Sequence, residues 1–164
     1  MVSMEMKLLF ICTHNRCRSI LAEAIANHIG GDAIQAASAG SSPQGQVHPL
    51  SLKYLAEHGI PTDGLCSQSW DEFEHFSPDA VLTLCDSAAQ ETCPVWFGKL
   101  VQVHWGLSDP SAIDTMGDDS ERESFNKTIN ILERRIRALL DSDVNVSDRE
   151  ALRATLSQIA VNIN

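Results

Sequence analysis

Positive charge is scarce in this chain. Its 164 residues hold 12 Lys and Arg against 22 Asp and Glu, a net charge of −10 with His neutral. General nucleic-acid binding needs a positive face to neutralise phosphates, so that class of partner is excluded. The one basic cluster, Arg134, Arg135 and Arg137, is expected on the solvated face of a helix. Long apolar runs are missing as well. The longest are far too short to cross a bilayer, and the stretch KLLFIC near the N-terminus is too short for the core of a signal peptide. No membrane partner is expected, and the cytoplasm is the expected compartment. Aromatic residues make up 5%, and Tyr54 is the single tyrosine. The cysteines number five (Cys12, Cys17, Cys66, Cys85 and Cys93), an odd count that in a reducing compartment argues against a disulfide framework. No pair has C-x2-C spacing, and His14, His48, His75 and His104 are scattered, so no structural zinc site is expected. Internal repeats and low-complexity segments are absent too.

What is present reads as one α/β domain long enough to bury a core. Lys7–Cys12 and Ala80–Cys85 are short apolar runs of buried-strand type, Ala33–Ser38 is a weaker strand, and Leu100–His104 a short fourth one. Helical patterns fill the intervals: Ser19–Ile29, stopped by Gly30-Gly31; His48–His58, followed by Gly59 and Pro61; a short one at Ser69–Phe76; and Ser120–Leu140, with Phe125, Ile129, Leu132, Ile136 and Leu139 or Leu140 on one stripe. Ser147-x-x-Glu150 reads as a capping box opening a last helix over Asp148–Ile159. The expected organisation is a domain over 1–142 with 143–164 as a helical extension of it, Asp141–Val146 serving as the hinge. Alternating strands and helices imply a parallel sheet covered on both faces. In such sheets ligands bind at the carboxyl ends of the strands. Cys12 and Cys85 both fall at that edge, close in space on neighbouring strands although 73 positions apart.

The stretch FICTHNRCRSILAEA concentrates the chemistry. A loop running from a strand end to a helix start aims several backbone N–H groups at one point, and the helix N-terminus adds partial positive charge. Arg18 adds a planar fork able to hold two oxygens of a tetrahedral anion. The same field favours a thiolate at Cys12, to which Ser19 can donate a hydrogen bond. The simplest reading is a cradle for an oxyanion, formed by Thr13, His14, Asn15, Arg16, Cys17, Arg18 and Ser19, with Cys12 as the nucleophile at its floor. The local field explains how a chain of net charge −10 can bind an anion. A bare Cys-x5-Arg spacing is weak by itself; its place between strand and helix, followed by Ser, is what favours function over a buried core cysteine and a surface arginine.

These residues resemble the low-molecular-weight protein tyrosine phosphatase superfamily, and within it the arsenate reductases. FICTHNRCRSILAEA, SAGSSPQGQVHPLSLKYLAEHGI, TLCDSAAQETCP and HWGLSDPS carry the likeness, in order, across most of the chain. The resemblance implies a single-domain three-layer sandwich around a four-stranded parallel sheet, flavodoxin-like in type. It implies that Asp109, in the Asp109-Pro110 pair, is a general acid for oxygen leaving a tetrahedral centre. Phosphatases of this fold follow that pair with aromatics that shape a tyrosine-sized slot, whereas Ser111-Ala112 stand here, so a small inorganic oxyanion such as arsenate fits better. Cys85 and Cys93 resemble the redox segment of thioredoxin-linked arsenate reductases and imply a relay from Cys12 to Cys85 to Cys93 by thiol–disulfide exchange. Seven residues separate Cys85 from Cys93, one more than is usual in that pattern. The reductant, thioredoxin or glutaredoxin with glutathione, therefore stays open. No cofactor is required by this reading, although the resemblance extends to a potassium ion on Asn15, Glu23, Ser38 and Asp71, an all-oxygen set suited to a hard cation; an ordinary helix-surface Glu23 and first-turn Asp71 is the alternative. Cys17 is expected to be shielded and Cys66 a bystander. Two further readings remain beside the reductase: a low-molecular-weight protein tyrosine phosphatase, which has no use for Cys85 and Cys93, and a non-catalytic oxyanion or redox sensor, against which the intact Cys12, Arg18 and Asp109 set argues.

Overall fold

The computed structural model describes residues 5–85, 94–112 and 118–164. Four parallel strands form one sheet in the order β2-β1-β3-β4: β1 Met6–Ile11, β2 Ile34–Ala39, β3 Ala80–Thr83 and β4 Val101–His104. Among the described residues four α-helices accompany them: α1 Arg18–Gly30, α2 Pro49–Glu57, α3 Asp118–Asp141 and α4 Arg149–Asn162. The strand order reverses between β1 and β3, and that reversal opens a crevice at the carboxyl edge where such folds bind ligands.

The sheet is buried on both faces, and the alternation along β1 shows how. Met6, Leu8 and Phe10 point into one cluster with α1, α2, α3 and α4; Leu9 and Ile11 point into a second. The first cluster is the larger. α1 buries Leu21, Ala22, Ala24, Ile25 and Ala26 in it, and each large aliphatic side chain buried there stabilises by about 1.5–3 kcal/mol. The second face is covered by 3-10 turns at Trp70–Phe76 and Val95–Lys99, through Trp70 and Phe97 packed edge to face 5.5 Å apart. Cys12 and Cys85 belong to this smaller cluster.

The elements fall where the sequence pattern puts them, with informative differences. β3 ends at Thr83, two residues before Cys85, although the Leu84 N–H still bonds the Ile11 carbonyl at 2.9 Å. Ser69–Phe76 is a 3-10 turn rather than an α-helix, opened by a capping box in which Ser69 and Glu72 satisfy each other's amides. The last helix is capped by Asp148, whose carboxylate accepts from the Ala151 N–H at 3.1 Å, and not by Ser147: the cap falls one residue later, and so does the orphan donor it satisfies. Arg135 also departs from expectation. Arg134 and Arg137 lie on the solvated face of α3, but Arg135 is 1% exposed. α4 docks rather than frays, burying Leu152, Leu156 and Ile159 in the main cluster. Among the described residues no helix is long and apolar enough to cross a membrane.

Candidate active site

Cys12 is the first residue after β1, and α1 starts at Arg18, so the connecting loop lies at the sheet's carboxyl edge on the axis of a helix N-terminus. Its shape is set by Asn15. That residue has φ +46°, a left-handed conformation that asparagine tolerates better than most side chains. Its amide is fully buried and saturated: Nδ2 donates to Ser19 Oγ at 2.8 Å and to Ser38 Oγ at 3.0 Å, while Oδ1 accepts from the Gln68 N–H at 2.8 Å. Ser19 Oγ in turn lies 2.8 Å from Cys12 Sγ. Because the Ser19 oxygen accepts from Asn15, its proton is free to be donated to sulfur, the polarity that stabilises a thiolate.

The second thiol of the loop is treated oppositely. Cys17 is buried, and burial pushes it up to about 12, with a hydrogen bond to Ser51 pulling weakly the other way. It stays protonated and inert, leaving Cys12 as the loop's nucleophile candidate.

Arg18 and Asp109 meet at the mouth. Arg18 Nη1 donates to the Leu107 carbonyl at 3.0 Å, and Nη2 lies 3.9 Å from Asp109 Oδ2. Asp109 Oδ1 accepts from the Ser111 N–H at 2.9 Å and Ser111 Oγ at 2.7 Å, which fixes the carboxyl at the head of the Pro110–Ala112 turn and leaves Oδ2 facing the guanidinium. Thr13, between Cys12 and the loop crest, has Oγ1 3.6 Å from Cys85 Sγ. Cys12, Cys17 and Cys66 are free thiols. Cys66 is exposed, and Cys93 lies outside the described residues.

The rim is built from elements that hold the loop's backbone. His14 accepts from Ser67 Oγ through its carbonyl at 3.1 Å, and its Nδ1 lies 3.1 Å from the Ser42 carbonyl. The Arg16 carbonyl takes the His48 N–H at 2.9 Å and Ser51 Oγ at 3.2 Å. His48 caps α2 through Nδ1, which accepts from the Leu50 N–H at 3.1 Å; burial, then the Arg16 charge, lower its basicity, with Asp109 and Glu121 opposing.

Of the four residues that the resemblance assigned to potassium, three come together, Asn15, Ser38 and Glu23. Glu23 Oε1 accepts from Ser38 Oγ at 2.6 Å, and Ser38 is bonded to Asn15. Asp71 does not join them: it is exposed, and its amide bonds Ser69 Oγ at 3.1 Å. With Asn15 Oδ1 committed to Gln68 and its Nδ2 aimed at Ser38, the four residues do not fit an oxygen cage for potassium as they stand. Among the described residues no group of three His, Cys, Asp or Glu is placed to hold a metal ion.

Sequence reasoning missed three contributors. Gly40 packs its backbone on the loop so closely that a Cβ there would sit 2.5 Å from the Thr13 carbonyl oxygen and 2.6 Å from that of Cys12. A glycine at the exit of a strand facing the loop was the available signal. Gln68 and Leu107 act through backbone groups, which no side-chain pattern reveals.

A thiol, a hydroxyl donor, a guanidinium and a carboxyl converging on a loop that opens a helix define a class of site, one suited to hold a tetrahedral oxyanion beside a cysteine. Comparison with known proteins gives the family. The model of the low molecular weight phosphotyrosine protein phosphatase family matches residues 7–154. An arsenate reductase of Halalkalibacterium halodurans is 33% identical over 134 residues, 81% of this chain and 94% of the relative. The solved structure of an arsenate reductase in its phosphate-binding state superposes with TM-score 0.69 at 25% identity, over 85% of this chain and 99% of that one. The thioredoxin-dependent arsenate reductase of Corynebacterium glutamicum superposes with TM-score 0.62 at 29% identity, over 87% of this chain and 64% of that one. The chain belongs to the low molecular weight phosphotyrosine protein phosphatase family and, within it, to the arsenate reductases.

Proposed function

We propose that the protein reduces arsenate to arsenite through Cys12, Cys85 and Cys93, with a dithiol protein as final reductant. The observation that carries this reading is a second thiol beside Cys12 in the smaller cluster. Cys85 shares the small apolar cluster with Cys12 and lies 3.6 Å from the hydroxyl of the residue next to it. Phosphoryl transfer has no use for a thiol there, whereas a reductase needs one.

In the proposed sequence the Cys12 thiolate attacks arsenic, held by Arg18, Ser19 and the loop amides. Asp109 protonates the departing oxygen, which leaves as water. The Cys85 thiolate then attacks Cys12 Sγ. A Cys12–Cys85 disulfide forms, and the electron pair of the sulfur–arsenic bond passes to arsenic, releasing arsenite. Cys93 attacks Cys85, freeing the Cys12 thiolate, and the Cys85–Cys93 disulfide is reduced by thioredoxin or by glutaredoxin with glutathione. No step is routed through potassium.

The test is arsenate-dependent NADPH oxidation by the reduced protein, coupled in one arm to thioredoxin and its reductase and in the other to glutaredoxin, glutathione and its reductase. Oxidation in one arm, lost in Cys12→Ser, supports the reading and names the donor. Cys93→Ala should give one turnover and then stop; unimpaired cycling would remove Cys93 from the relay. Silence in both arms together with hydrolysis of a small aryl phosphate would make the protein a phosphatase.

A further inference from the structure

Arg135 is a charged side chain that the main cluster encloses at 1% exposure. No carboxylate pairs with it among the described residues. Its partners are carbonyls: Nη1 donates to Trp105 O at 2.8 Å and Nε to Ile163 O at 2.7 Å, and the guanidinium lies 5.6 Å from the centroid of the Trp105 ring. Burying a charge without a counter-ion is costly, and an apolar side chain of the same volume would serve packing as well. The fixed fork of the guanidinium does what an apolar chain cannot: it sets the direction of two backbone groups on different elements.

One of those groups begins the segment that leads to the active site. Trp105 is fully buried just beyond β4; its N–H donates to Thr83 O at 2.7 Å and its indole N–H to Leu156 O at 2.9 Å. Two residues on, the Leu107 N–H bonds Leu84 O at 3.0 Å, and the Leu107 carbonyl receives Arg18. Asp109 follows two residues later. The segment is thus tied to β3 at two points and to α3 and α4 by Arg135 and the indole. The family match ends at residue 154, so the carbonyls of Leu156 and Ile163 lie beyond it.

We propose that Arg135 is a positioning residue for catalysis: by holding the Trp105 carbonyl and the end of α4 together, it sets the reach of the Asp109 carboxyl at the oxyanion site. The inference rests on the proposed arsenate chemistry. Its test is the single-turnover rate of arsenite formation by reduced protein, a readout independent of donor and of Cys93. Arg135→Met, Arg135→Lys and Trp105→Phe are each made alone and in an Asp109→Asn background.

Arg135→Met should slow the single turnover about tenfold, since displacing a catalytic group by a fraction of an ångström costs this much. Arg135→Lys should recover part of the loss, and Trp105→Phe should move the rate in the same direction by less. In the Asp109→Asn background each change should alter the rate less than about twofold, because the group being positioned is gone. A full Arg135→Met loss in both backgrounds, or none in either, overturns the proposal. If Arg135→Met does not fold, Arg135→Lys and Trp105→Phe carry the same comparison. Wild-type protein that forms no arsenite refutes the functional reading instead, and the same variants are then compared in aryl phosphate hydrolysis, where Arg18 and Asp109 serve equally.

Discussion

At the scale of single residues, the site separates groups of one chemistry by environment. Cys12 and Cys17 lie five positions apart in one loop; Cys12 faces the Ser19 hydroxyl, while at Cys17 burial outweighs the hydrogen bond to Ser51 and holds the thiol up at about 12. Glu23 shows the same logic for a carboxyl. It stands at the far end of the chain Cys12–Ser19–Asn15–Ser38–Glu23, and burial raises its proton affinity against the opposing hydrogen bond from Ser38. A carboxyl raised in the fold above its unfolded value, about 4.3, contributes stability that is complete below that value. The contribution is lost as pH rises through the folded value. Glu23→Gln keeps the acceptor for Ser38 and removes the titration. Its stability relative to wild type should therefore grow as pH rises from about 4 towards neutrality, measured as urea midpoints across that range. A difference constant with pH would show that Glu23 does not titrate abnormally.

At the scale of elements, the loop and the exit of β2 are fitted to each other with no spare room. The Cβ of an alanine at position 40 would press on two backbone carbonyl oxygens, those of Thr13 and Cys12, which cannot swing aside as a side chain end would. Gly40→Ala should cost about 1–3 kcal/mol of stability, the range for overpacking. It should also lower arsenate turnover more than tenfold, because the displaced atoms carry Cys12, the nucleophile of the proposed reaction. A melting temperature and a turnover both close to wild type would show that the loop yields. This fit explains which parts of the site could be read from sequence. Cys12, Arg18 and Ser19 are legible because strand, loop and helix N-terminus are contiguous, so local chemistry dictates local geometry. Asp109 is legible only through the family resemblance, carried by its Pro110 and its place after β4. The Leu107 carbonyl that seats Arg18, and the Gln68 amide that seats Asn15, arrive from 89 and 53 positions away through backbone groups, which leave no mark on residue identity. The potassium set fails as a fourfold group for a related reason: Asp71 was placed by motif, and the Ser69–Glu72 capping box holds it at the head of an exposed turn.

At the scale of the whole molecule, the sheet and its crossovers follow from alternating apolar periods, and the parallel order with its reversal between β1 and β3 puts Cys12 and Cys85 at one edge. The relation of the last helix to that body could not be read in the same way, because an amphipathic helix after a short connection docks or frays according to what faces it. Here a buried face waits for it: Trp105 offers its indole N–H to Leu156 O, and Arg135 offers Nε to Ile163 O, while Leu156 is fully buried beside them. Reading Arg135 as surface charge therefore followed from reading its helix alone, since the burial of Arg135 and of the last helix depend on each other. If α4 shares the core, its loss must be felt throughout. Leu156→Ala should destabilise the protein by about 2–5 kcal/mol, the cost of an aliphatic side chain plus the cavity it leaves. Denaturant unfolding should remain a single transition, with far-ultraviolet circular dichroism and tryptophan fluorescence shifting together to a lower midpoint. An early transition confined to the helical signal, with the main midpoint unmoved, would make residues 143–164 an appendage and would sever the link from α4 through Trp105 to the segment that carries Asp109.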